Sequence, residues 1–163
     1  MRLEVVTHDG AKLRETDVTE VVATTELGEV GIRLRHRNFI AGLWPGRFFY
    51  EKASVRYLFA ADTGFLQVCD DVVRVIVETC HAPHEIDVDA ERARLAEAEA
   101  ALRQPTETSS DERFAQLQLR LARARTRLEV AQAAPNPPPP RQSSADPEAS
   151  ATSSSRNQCS TYE

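Results

Sequence analysis

Apolar and polar positions alternate in short runs through the first half of the chain. The segments LEVVT, KLRE, VTEVVATT, EVGIR, FIAGL, RFFYE, SVRYLFA, GFLQVC and DVVRVIVET are rich in Val, Thr, Phe and Tyr, with turn signals HDG, LGE, WPG and ADTG between them. This spacing predicts an antiparallel β-sandwich of about ten short strands over residues 1–84, rather than a parallel sheet with helical crossovers. In the last segment Val73, Val75 and Val77 fall on one face, and Arg74, Ile76 and Glu78 on the other. One face then packs on a core while the other stays mostly wet.

Near Pro83 the period changes from two to between three and four. DVDAERARLAEAEAALRQ, residues 87–104, is Ala-, Glu- and Arg-rich without β-branched runs, and Asp87 or Asp89 can cap its start. Pro105 ends this helix, TETSS makes a loop, and Ser110 opens a second helix running to about Ala133. Phe114, Leu117, Leu121, Ala124 and Leu128 give the second helix one apolar stripe. A loop this short makes residues 85–134 an antiparallel helical hairpin. Residues 135–163, rich in Pro and Ser, hold too few large apolar side chains to offset chain entropy, and a disordered tail is expected.

Charge changes the picture in two places. The chain is acidic overall, with net charge -5 and a pI near 5.5, which argues against general nucleic-acid binding. Yet RLRHR, residues 33–37, concentrates Arg33, Arg35, His36 and Arg37. The hairpin charges are also split. In residues 87–103, five acids (Asp87, Asp89, Glu91, Glu97, Glu99) face three arginines; in 111–129, five arginines (Arg113, Arg120, Arg123, Arg125, Arg127) face three acids. The second helix is either a solvated face paired to the first helix or a docking surface for an acidic partner.

Candidate chemistry is sparse. Cys80, His81 and His84 lie close together in CHAPH, but no second ligand pair accompanies them, and His8 and His36 stand alone. No metal site is expected; Cys80 reads as the end of a buried strand, the histidines as an exposed linker, and Cys69 as a small core or face residue. The three cysteines lack CxxC spacing, so reduced thiols are expected. There is no Walker-type loop, no GxSxG elbow and no set of nucleophile, base and orienting residue. No run approaches the roughly 18 apolar residues of a membrane span, and MRLEVVTHDG lacks a signal-peptide core, so a mature chain starting at Met1 on the cytoplasmic side is expected.

The order of these features resembles the epsilon-subunit family of the bacterial F-type ATP synthase, whose mitochondrial counterpart is named delta. LEVVTHDG, DVTEVVATTELGEVGI, FIAGLWPGRFFY, ADTGFLQVCDDVVRVIVET and EIDVDAERARLAEAEAAL carry the resemblance, which covers residues 1–134. It implies a non-catalytic central-stalk (rotor) subunit, peripheral to the cytoplasmic face of the bacterial membrane, that couples proton transport to ATP synthesis. It further implies that the sandwich binds the gamma subunit and the c-subunit ring. The hairpin either folds on the sandwich or extends, and when extended it inhibits ATP hydrolysis through contact with a catalytic beta subunit. The resemblance places Glu29 and His36, with Arg33 and Arg35 beside them, at the ring-facing loop, and Arg120, Arg123 and Arg127 on the helix that meets beta. Some members bind a regulatory ATP through a motif that Val88, Asp89, Arg92 and Ala93 match with Val in first place, so Asp89 and Arg92 are the nucleotide candidates. Where the family has Leu-Pro-Gly-His, this chain has Arg33, Leu34, Arg35 and His36, which sets Arg at a turn position suited to Gly. The alternative is a freestanding interaction module that uses the RLRHR loop.

Overall fold

The computed structural model describes residues 1–103, 111–133 and 136. Pro105, the TETSS loop with Ser110 and, apart from Asn136, the Pro/Ser-rich tail with Cys159 lie outside the described residues. Nine strands come first: β1 (Arg2–Thr7), β2 (Gly10–Glu15), β3 (Val18–Thr25), β4 (Gly28–Arg33), β5 (Phe39–Lys52), β6 (Val55–Ala61), β7 (Gly64–Cys69), β8 (Val72–Val77) and β9 (Cys80–His81). A short 3-10 turn at Pro83–Glu85 leads into α1 (Val88–Arg103) and α2 (Asp111–Ala131).

The strands form one hydrogen-bonded sheet, ordered β2-β1-β8-β7-β5-β3-β4, with β6 and β9 branching from β5. The sheet branches at β5. The first half of this strand pairs with β7 from Phe39 to Leu43, and its second half pairs with β6 from Gly46 to Lys52. The WPG sequence expected as a turn is therefore the corner of one continuous strand. Trp44 to Arg47 stand opposite the single Thr24 of β3, whose neighbours pair Ala23 with Phe48 and Thr25 with Leu43. Pro45 lies in this irregular stretch, where a missing N–H breaks no regular ladder.

A second correction concerns direction. β1 runs parallel to β8, with Leu3 opposite Val73 and Val5 opposite Val75, so the sandwich is not wholly antiparallel. One core fills it. Leu3, Val5, Leu66, Val73 and Val75 meet Val18, Val21, Ile32 and Phe48, all fully enclosed. The alternation read in β8 holds: Val73, Val75 and Val77 are buried while Arg74, Ile76 and Glu78 are exposed.

The Asp87 carboxylate caps α1, accepting the Asp89 and Ala90 amides at 3.1 Å each. The helices pack antiparallel, with Glu91 of α1 near Arg127 of α2 and Glu99 near Arg125. Burial along α2 follows the expected stripe in part. Leu121 and Ala124 are buried and Leu117 and Leu128 half-buried, but Phe114 is exposed, and Thr126 and Val130 are buried outside the stripe. Besides packing on α1, α2 lies against β5, β6 and the 3-10 turn, and its last turns reach β5 through Thr126 on Pro45 and Glu129 near Arg47. His81 belongs to no exposed linker: Cys80 and His81 extend the sheet by pairing with Ala61 and Ala60.

Close backbone approach fixes Gly64, where an added Cβ would sit 2.0 Å from the Ile76 carbonyl oxygen. Gly64→Ala is therefore expected to lower the unfolding free energy by about 1–3 kcal/mol, the cost of overpacking. Gly42→Ala, with no atom within 4 Å of the new Cβ, should leave the urea midpoint unchanged or raised. Equal urea midpoints for the two variants would contradict this account.

Candidate functional site

The densest polar cluster lies where α2 meets the sandwich. Asp62 follows β6, and Glu78 and Thr79 follow β8. Two backbone bonds hold these turns side by side: the Asp62 amide donates to Thr79 at 3.0 Å and the Glu78 amide to Thr63 at 3.0 Å. The Asp62 side chain is only 3% exposed. Arg123 Nε donates to its Oδ1 at 2.6 Å, and Arg123 Nη2 donates to Glu78 Oε2 at 2.6 Å. Arg127 Nη1 donates to Glu91 Oε1 at 3.0 Å and its Nη2 to Thr79 Oγ1 at 3.0 Å, while Nη2 lies 3.6 Å from Asp62 Oδ2. Glu91, also buried, pairs in addition with Arg94.

Further polar contacts seat the end of α2. Thr126 Oγ1 donates to the Pro45 carbonyl at 3.3 Å, and Arg47 bridges Glu29 at 2.9 Å and Glu129 at 3.3 Å. The Asn136 amide completes the series on the open edge of β6. It accepts from the Leu58 N–H and donates to the Leu58 carbonyl, both at 2.7 Å.

The expected site residues are thus dispersed. Arg123 and Arg127 point into their own chain, whereas Arg120 is exposed at a cavity of about 380 Å³ between the helices. Arg94, Arg123, Arg127 and the apolar Ala98, Leu117 and Ala124 also line this cavity. Asp89 and Arg92 pair with each other at 3.4 Å on the outer surface of α1 and do not line it. Glu29 is held by Arg47, and Arg33 by Glu20 at 2.8 Å. Arg35 adopts φ 62°, and its amide donates to Asp71 Oδ1 at 2.7 Å. His36 lies against Phe39, with ring centroids 5.1 Å apart, and its Nδ1 is 2.9 Å from the Arg37 carbonyl.

Asp62, Glu78 and Glu91 were not singled out from sequence. Asp62 sits in ADTG, which has the composition of a turn, and Glu91 resembles any acid in the first turn of a helix. Among the described residues no three His, Cys, Asp or Glu converge as a metal site. Burial pushes the Cys80 thiol up to about 12, so it is an inert core residue.

The outer face of β1, β8, β7 and β5 is a second notable surface. Phe65 lies opposite Ile76, and Gly42 opposite Phe65, with Ile40 two residues earlier on the same side of β5. Ile40, Phe65 and Ile76 are 67%, 63% and 51% exposed.

The family model for the ATP synthase delta/epsilon chain β-sandwich domain matches residues 1–83. The chain belongs to the delta/epsilon family of ATP synthase subunits. The ATP synthase epsilon chain of Anaeromyxobacter sp. (strain K) is 37% identical over 107 residues, covering 66% of this chain and 80% of that relative. That of Trichlorobacter lovleyi is 38% identical over 106 residues, covering 65% and 76%. A chain in the cryo-EM structure of the Euglena gracilis mitochondrial ATP synthase, OSCP/F1/c-ring, superposes with a TM-score of 0.68 at 25% identity, covering 80% of each chain. A chain from the central stalk and c-ring of the Tetrahymena thermophila enzyme shares the fold, with a TM-score of 0.56 at 18% identity, covering 81% of this chain and 96% of that one. As a family member the chain is an epsilon-type subunit of an ATP synthase. Among the described residues no helix is long and apolar enough to cross a membrane.

His81 links docking to pH. Burial lowers its pKa from the ordinary 6.5, and the Arg127 guanidinium and Lys12 lower it further, against the smaller opposing pull of Glu85 and Glu91. When α2 leaves, Arg127 leaves with it. Glu91, whose opposing pull is smaller, leaves as well, so undocking raises the His81 pKa, and the contribution of His81 to docking is present above the undocked pKa and lost as pH falls from there through the lower docked pKa. Amide exchange in α2 is expected to accelerate between about pH 7 and pH 5.5, after correction for intrinsic rates, and His81→Gln to flatten that dependence. An identical pH profile in the variant would refute the linkage.

Proposed function

We propose that this epsilon subunit couples rotation to catalysis by docking its sandwich on the gamma shaft and the c-subunit ring, at the cytoplasmic face of the membrane. Its hairpin restrains ATP hydrolysis. The observation that carries the reading is the apolar outer face of Ile40, Phe65 and Ile76. Three large side chains in one sheet region, each more than half exposed, form a surface that isolated scattered residues do not. Gamma covers this face; Glu29 and the loop of Arg33, Arg35 and His36 turn toward the ring.

The hairpin acts as a movable arm. In the docked state its basic helix lies on the sandwich; in the extended state Arg120, Arg123 and Arg127 meet an acidic segment of a catalytic beta subunit. The α1–α2 interface supports such a movement, since its small Ala98 and Ala124 contacts let the hairpin hold together while it leaves the sandwich. A regulatory ATP joins this reading as a second ligand through Asp89 and Arg92, favouring the docked arm. Millimolar ATP then raises the melting temperature of the wild-type chain but not of Arg92→Ala.

A freestanding module that works through RLRHR fits the structure less well. Glu20 pairs with the Arg33 guanidinium and Asp71 fixes the Arg35 amide, so part of the loop is already engaged within the chain.

Phe65→Asp with Ile76→Asp is expected to weaken copurification with gamma by at least about tenfold without unfolding the sandwich, because both side chains already face water. Undiminished copurification would place gamma elsewhere. Deleting residues 88–163 should raise ATP hydrolysis by the reconstituted head; unchanged hydrolysis would exclude inhibition by the hairpin.

A further inference from the structure

The docked hairpin hides the very cations that an acidic partner would need. We infer that Asp62, Glu78 and Glu91 form an internal surrogate for an acidic docking partner, so that α2 cannot lie on the sandwich and engage such a partner at once. This rests on the proposed role of α2 as the arm that meets an acidic surface.

The arginines of α2 are not equally available. Arg125 is largely exposed beside Glu99, whereas Arg123 and Arg127 have side chains only 27% and 17% exposed. Each guanidinium spends donors on more than one anchor. Arg123 divides among Asp62, Glu78 and the Thr63 hydroxyl, and Arg127 between Glu91 and Thr79. Two parallel or forked charge-assisted bonds are also how guanidinium recognises a carboxylate surface in another chain.

The origin of the carboxylates gives the surrogate a direction. Glu91 belongs to α1 and travels with the hairpin; Asp62 and Glu78 belong to the sandwich and stay behind. Undocking as a unit therefore leaves Arg127 with its Glu91 contact but strips Arg123 of both carboxylates. Arg123 is the cation released by undocking. Water can then solvate Asp62 and Glu78, so the exchange of partners strands no buried charge. The contact at Leu58 is polar too, and the Asn136 amide that closes it is equally satisfied by water.

The test uses the full chain, alone and in the reconstituted catalytic head. Glu78→Gln, alone and combined with Asp62→Asn, removes the acids with little change of shape; Arg123→Gln removes the cation. The single Glu78→Gln change lies at a 60% exposed side chain, so folding does not obscure its result. In the isolated chain, the acid and arginine variants should both exchange α2 amides about tenfold faster or more, as expected for losing a charge-assisted hydrogen bond. In the head they should diverge: the acid variants inhibit hydrolysis more strongly than wild type, and Arg123→Gln inhibits less. Unchanged α2 exchange in the acid variants would overturn the surrogate. Faster exchange with no divergence in inhibition would instead show that the docking contact is real and that α2 is not an arm for an acidic partner.

Discussion

A carboxylate that is 3% exposed has to be compensated, and at Asp62 the compensation comes from another structural unit. Its own turn supplies the Thr63 amide at 2.8 Å, which is too little for a buried charge. The Thr79 hydroxyl adds a bond at 3.4 Å from the neighbouring turn, and Arg123 and Arg127 supply the countercharge from α2. This ion-pair network therefore helps to set the position of the hairpin, beside the Thr126 bond to Pro45 and the buried Val130. Such a network contributes little net stability when intact, because desolvation consumes most of the Coulombic gain. Losing one member is costly only if the others remain buried. In the proposed undocking the whole interface would open together, and both sides would return to water.

That property distinguishes the two halves of the molecule. The sandwich core encloses ten or so branched and aromatic side chains, each worth about 1.5–3 kcal/mol on burial, and they cannot separate without unfolding. The part of α2 that touches the sandwich offers Val130 and little else that is large and fully enclosed, with Thr126 beside it bonded to Pro45. A few kcal/mol between docked and undocked states is the expected scale for such an interface. The sandwich is a fixed base and the hairpin an adjustable load upon it.

Much of this was legible in the sequence, and the failures share a physical cause. Local period gave the strands, the switch at Pro83 gave the hairpin, and the valines of β8 gave the buried face, because each depends on residues near in sequence. The parallel pairing of β1 with β8 was not legible, since it joins segments some seventy residues apart that carry no mark of direction. Trp44-Pro45-Gly46 has turn composition, yet Gly46 is needed for another reason: an added Cβ would meet Thr24 at 2.2 Å, where β3 crosses the corner of β5. At the site, the pattern identified a basic second helix but not which arginines it conceals. Arg123 and Arg125 are equivalent by composition; their separation is set by the rotation of α2 against Asp62, a tertiary fact.

The RLRHR loop shows the same limit from the other side. Its composition suggests a strong basic patch, and the structure pairs one of its cations, Arg33, with Glu20. Arg35 occupies a left-handed conformation that costs a residue with a Cβ about 1–2 kcal/mol. The 2.7 Å bond from its amide to Asp71 is charge-assisted, and bonds of this kind contribute about 1.5–3 kcal/mol, enough to offset the strain. Asp70 and Asp71 are themselves both at positive φ in the turn between β7 and β8, a geometry that short acidic residues tolerate. The hairpin turn between β7 and β8 thus stabilises the connection from β4 to β5. The departure from Leu-Pro-Gly-His is accommodated by this pairing, so the loop keeps a defined shape without the residues that usually impose it, and contacts made there depend on that shape before they depend on net charge.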